Sequence, residues 1–149
     1  MFEFKKLCSE YEKLNSVERG ILLAEKSVSV VKGLKENNLT ENPLKMLVTF
    51  IIGSVVSDGA LSEKDYLYIY PSLLKAFGNC IDFHTIKQTL QLSKDVKKEI
   101  EHATEELVHV ISSVDENLAN DIISLCLLVT SVDGKISLKE KRYIKRLCK

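Results

Sequence analysis

The feature that most restricts this chain is an internal duplication. Residues 47–69, LVTFIIGSVVSDGALSEKDYLYI, align without a gap onto residues 122–144, IISLCLLVTSVDGKISLKEKRYI. Over the twelve positions that begin at Asp58 and at Asp133, six are identical, where chance supplies about one. Both copies read Asp-Gly-x-apolar-Ser-x-x-acid: Asp58, Gly59, Leu61, Ser62 and Asp65, then Asp133, Gly134, Ile136, Ser137 and Glu140. Each position has a task where one helix hands over to the next. The apolar helix must stop, and glycine supplies a backbone conformation that other residues resist. The serine hydroxyl accepts from an early N–H of the following helix, and the acid three residues on reaches back to the serine N–H. Leu61 and Ile136 stand just ahead of the cap, where an apolar side chain fastens the turn to the next helix.

Helical periodicity continues through the rest of the chain, and no stretch alternates apolar and polar residues long enough for a sheet. A first helix is expected over 2–14. A second follows from the caps Asn15 and Ser16 to about Glu36, with Ile21, Leu22, Ala24, Val28, Val31 and Leu34 as its apolar face. Asn42 before Pro43 is a helix start, and the helix it opens is apolar almost all round to Val56, which predicts a central position. After the first Asp-Gly turn, Ser62 starts a helix that Pro71 should kink or interrupt before Gly78 ends it. A short helix from Asp82 to about Leu92, a long one capped by Ser93, a buried one capped by Asp115 and a basic one from Ser137 complete the pattern. The expectation is an all-α compact bundle of seven or eight helices, one domain over 1–149, with repeat units at about 43–77 and 116–149.

Lys plus Arg and Asp plus Glu number 21 each. That balance argues against a dedicated nucleic-acid binder, which is more often basic overall. The longest apolar stretches run about eleven residues, short of the ~20 that span a bilayer. The N-terminus lacks a secretory pattern. Cys8, Cys80, Cys126 and Cys148 are scattered with no Cys-x-x-Cys pair, which points to reduced, mostly buried thiols in a cytoplasmic protein.

The duplicated turn also admits a reading as a cation site. In a calcium loop, glycine at the sixth position is followed six residues later by a carboxylate, and both copies keep that interval. Ser54 and Val129 stand at the first position, which should be a carboxylate, and Val56 and Ser131 at the third. One half-loop therefore offers too few oxygens for a hard dication. Two half-loops brought together could share one, with Asp58, Asp65, Asp133 and Glu140 as the ligands.

The doubled turn between an apolar and an amphipathic helix resembles the tellurite-resistance TerB family, whose relatives include the helical domain ahead of the J domain in some membrane-attached co-chaperones. The resemblance covers about residues 40–149. It implies an all-helical fold, a bacterial stress-response or scaffolding setting near the inner membrane, and carboxylates that gather a divalent metal. The positions that match are Asp58, Gly59, Asp65, Asp133, Gly134 and Glu140; Asp65 stands where the family's pattern carries Glu.

Two further groups stand out. Glu99, His102, Glu106 and His109 form two Glu-x-x-His units on one helix stripe. The units lie ~10 Å apart at 1.5 Å per residue, too far to share an ion, so the stripe reads as a solvated rim. Residues 135–149 hold Lys135, Lys139, Lys141, Arg142, Lys145, Arg146 and Lys149 against Glu140 alone. Cations late in a helix suit its dipole. They would also suit an acidic protein or an anionic membrane surface. Nothing pairs a nucleophile with a base or cradles a phosphate in glycines.

The sequence is thus read as a TerB-like, cytoplasmic, non-enzymatic binding or scaffolding module with a protein partner. A divalent-cation-binding regulatory protein is the alternative, and a hydrolase the third reading. Converging carboxylates would favour cation binding, and an exposed apolar patch would favour scaffolding.

Overall fold

The structure is a computed structural model, and it describes residues 3–36, 42–56, 60–78, 81–131 and 134–148. Eight helices follow one another in these residues, with no strand among them. They are α1 (Phe4–Glu12), α2 (Ser16–Lys35), α3 (Pro43–Gly53), α4 (Glu63–Phe77), α5 (Phe83–Leu92), α6 (Val96–Ser113), α7 (Glu116–Thr130) and α8 (Leu138–Lys145). The all-α bundle expected from the helical periodicity is what forms among the described residues.

Local chemistry sets the helix starts. Asn15 accepts the Glu18 N–H at 2.8 Å while Glu18 accepts the Asn15 N–H at 3.0 Å, a closed capping box at the head of α2. Asn42 with Pro43 opens α3, and Asp82 and Asp115 cap α5 and α7 as the sequence indicates. Ser93 does not cap α6. Asp95 takes that place, accepting the Lys98 N–H, and Ser93 accepts the Asp95 N–H instead. Nor does Pro71 interrupt α4, which runs unbroken from Glu63 to Phe77. The carbonyl that Pro71 leaves unpaired belongs to the turn of Leu67, which is exposed together with Pro71, so water can serve it.

Two apolar helices form the centre. Residues 122–130 of α7 are buried without a break, as are residues 47–53 of α3. A helix buried on every side needs neighbours on every side. For α7 these are α2, α4, α6, α8, α1 and α3; for α3 they are chiefly α6, with α2, α4, α5 and α7. Close approach of α2 to α7 depends on Gly33, where an added Cβ would lie 2.6 Å from a Leu118 methyl. The same contact is closed by polar links, because Asp121 receives Lys26 at 2.7 Å and the Ser29 hydroxyl at 2.6 Å. Thr104 and Thr130, buried, return their hydroxyls to the carbonyls of Ile100 and Cys126 at 2.8 Å, so the core keeps no unpaired hydroxyl there.

The buried face of α2 matches the expected one in part: Leu34 is buried and Leu22 and Val31 pack against the core, while Ile21, Ala24 and Val28 are exposed. Ser27, Val30 and Leu34 are buried, with Leu23 packed partly beneath them. Ile21 and Val28 instead face outward, 58% and 70% exposed. The helix carries two apolar stripes at helical spacing, and periodicity alone does not say which one meets the core.

Candidate functional site

The two Asp-Gly motifs fall in the chain between α3 and α4 and between α7 and α8. Asp58 and Asp133 lie outside the described residues, as does Gly59; Asp65, Glu140 and Gly134 are described. Gly134 has φ +84°, the left-handed conformation that the motif requires of glycine. Ser62 accepts the Asp65 N–H at 3.0 Å, and Ser137 accepts the Glu140 N–H at 3.1 Å. Glu140 also returns Oε1 to the Ser137 N–H at 3.3 Å and so closes the capping box of the second copy.

An arginine reaches this second turn from α2. Arg19 donates to the Ser131 carbonyl at 2.8 Å, to the Ser131 hydroxyl at 2.7 Å and to the Tyr11 carbonyl at 3.2 Å. Its side chain also lies 3.9 Å from where a Cβ of Gly134 would stand. A guanidinium therefore borders the turn where a shared cation is expected. The other oxygen of Glu140, Oε2, is buried and has no hydrogen-bond partner. Among the described residues no group of three or more His, Cys, Asp or Glu side chains could hold a metal ion.

The basic C-terminal helix docks as its pattern indicates, with Ile144 and Leu147 fully buried. Tyr143 packs inward as well. Its ring stacks on Phe50 with centroids 4.5 Å apart, and its hydroxyl donates to the Phe50 carbonyl at 2.6 Å. Burial pushes the Tyr143 phenol well above its ordinary range. Gly53 makes room for this ring, since a Cβ there would collide with the Tyr143 hydroxyl and lie 2.8 Å from Ile100. Beside that junction, α3, α6 and α8 enclose a pocket of about 430 Å³ whose rim carries Lys97, Lys139, Arg142 and Arg146. Sequence reading found the α8 cations, but Lys97 belongs to another helix and only the fold brings it to them.

A broader cleft of about 1310 Å³ separates α1 from the ends of α6, α7 and α8, with lysines and glutamates mixed along it. Glu99, His102 and His109 are exposed, in keeping with a solvated rim. Cys8 and Cys126 are free and buried, and Cys148 is free and half-buried. Burial raises all three thiols, Cys148 to about 11, so they are poor nucleophiles at neutral pH.

The outward stripe of α2 is the other surface feature. Val17, Ile21, Ala24 and Val28 recur at steps of four, three and four, and all are exposed. Comparison of the chain with family models, with curated proteins and with solved structures returned no significant match.

The features together define a class: an all-α bundle with an apolar stripe on one helix and a basic pocket elsewhere. No helix among the described residues is long and apolar enough to cross a membrane.

Proposed function

We propose that this chain is a non-enzymatic binding or scaffolding module, TerB-like in kind, that docks a protein partner along α2. The observation that carries this reading is the exposed apolar stripe of Val17, Ile21, Ala24 and Val28. Apolar surface left in water gains about 25 cal/mol per Å² when a partner covers it. Alternating steps of four and three are the seam that a partner helix fills. Packing against α7 and the Asp121 links hold α2 in place before any partner arrives, which lowers the ordering cost of association. A cytoplasmic setting rests on the scattered cysteines, and a bacterial stress response at the inner membrane on the family resemblance.

The test is a double variant, Ile21→Glu with Val28→Glu, compared with wild type and with Lys75→Glu on α4. Exposed positions tolerate such changes within about 0.5 kcal/mol, so the melting temperature should hardly move. Affinity purification from the native host with quantitative mass spectrometry should lose a specific partner in the double variant only. An identical partner set in all three proteins would sink the reading.

A specific observation favours a second reading, a divalent-cation-binding regulatory protein. The orphaned Oε2 of Glu140 sits beside the second turn without a donor, as a carboxylate awaiting a cation would. Thermal unfolding with added divalent metals tests it.

A further inference from the structure

We propose that the pocket between α3, α6 and α8 binds a phosphate-bearing organic anion, at a site separate from the α2 stripe. Four cations, Lys97, Lys139, Arg142 and Arg146, stand on its rim against the carboxylate of Glu101. Three lysines elsewhere pair with carboxylates: Lys26 with Asp121 at 2.7 Å, Lys87 with Glu63 at 2.5 Å and Lys141 with Glu12 at 3.4 Å. None of the four rim cations pairs with a described carboxylate. Arg146 instead holds its guanidinium 5.8 Å from the centre of the Tyr143 ring, a contact that steers the fork without neutralising it.

The helix dipole does not account for this arrangement. Arg142 and Arg146 lie toward the C-terminal end of α8, where cations are favoured, but Lys139 is the second residue of α8 and Lys97 the second residue of α6. Cations at those positions oppose the positive end of each helix. An anion held between Lys97 and Lys139 would offset that unfavourable placement.

Charge and shape narrow the ligand. An excess of three positive charges suits a multiply charged group better than one carboxylate, and a phosphate monoester carries about −1.5 to −2 at neutral pH. Two guanidinium forks match phosphate oxygens in pairs. Between the cations the lining is apolar, from Gly53, Val56, Ile100 and the Tyr143 ring, and can receive the organic part of the ligand. The phosphate can come from a free organic phosphate or from the headgroup of an anionic lipid.

The experiment titrates the isotopically labelled chain with inorganic pyrophosphate, and separately with vesicles of phosphatidylglycerol or of phosphatidylcholine. Pyrophosphate should move the amide signals of Gly53, Ser54, Ile100 and Tyr143 saturably. Lys97→Glu and Arg142→Glu, both at exposed positions, should each weaken binding at least ~tenfold, the loss of one charge-assisted contact. Lys75→Glu, outside the pocket, should bind as wild type does. Binding to phosphatidylglycerol vesicles alone, lost in both pocket variants, assigns the phosphate to a lipid headgroup. Absence of binding in every arm overturns the proposal, and so does an equal loss in Lys75→Glu or a response spread evenly over all the lysines. Two reversals on different helices guard against one that fails to fold.

Discussion

Tyr66 illustrates how single residues carry both the strengths and the costs of this bundle. Its ring is buried, stacks on Tyr70 with centroids 5.4 Å apart, and receives the Lys87 ammonium 5.0 Å above it. Its hydroxyl, however, is buried with no hydrogen-bond partner. Burial, then the neighbouring Tyr70, pushes the phenol up to about 12. A hydroxyl withdrawn from water and unpaired costs about 1–3 kcal/mol. Replacing Tyr66 by Phe keeps the ring contacts and removes the orphaned group. Urea unfolding should therefore show Tyr66→Phe stabilised by ~1 kcal/mol. A loss of stability in that variant would mean the hydroxyl has a partner after all. Tyr143, half-buried, is the counter-case, because its hydroxyl finds the Phe50 carbonyl.

At the scale of elements, the serine caps of the repeat are legible in the sequence and form as read. Ser62 and Ser137 each accept the N–H three residues on, at 3.0 and 3.1 Å. Ser62→Ala and Ser137→Ala should each cost ~1 kcal/mol, the usual worth of an N-cap. Chemical denaturation measures this, and losses near zero in both would mean that the two bonds are energetically idle. The cap of α6 was misread because Ser93 and Asp95 are both good caps two residues apart, and boundaries of this kind shift by one or two residues. The inward face of α2 is legible only in part, at Leu22, Val31 and Leu34, for a deeper reason. Val17, Ile21, Ala24 and Val28 satisfy the same spacing rule as Leu23, Ser27, Val30 and Leu34, and the second set includes a serine. Pattern reading discounts that serine as polar. In the fold its hydroxyl donates to the Ala76 carbonyl of α4, which makes burial affordable.

On the scale of the whole molecule, the question is whether the two turns act together. If they share a divalent cation through Asp58, Asp65, Asp133 and Glu140, binding to the folded state alone must raise the melting temperature by mass action. Ligand at one hundred times its dissociation constant adds about 2.7 kcal/mol. Differential scanning fluorimetry with calcium, magnesium, manganese or zinc should then show a rise, which the pair Asp58→Asn with Asp133→Asn abolishes while the helical spectrum stays intact. No thermal shift with any of the four metals removes the cation reading and leaves the turns as helix junctions, with Arg19 bracing the second.

The helical class, the left-handed turn at Gly134, the serine caps and the central apolar helices are all legible in the sequence. These depend on neighbours within a few residues, or on burial so complete that orientation does not matter. Packing between helices settles which stripe of α2 meets water, brings Arg19 to Ser131 and sets Lys97 with Lys139, Arg142 and Arg146 around one pocket. Cys148 likewise comes within electrostatic range of both Cys8 and Cys126, although the three are scattered along the chain. Such meetings depend on how the helices pack, and packing is set by side-chain shape across distant segments, as at Gly33 against Leu118 and Gly53 against Tyr143. Spacing along one helix carries no record of the residue that another helix will place beside it.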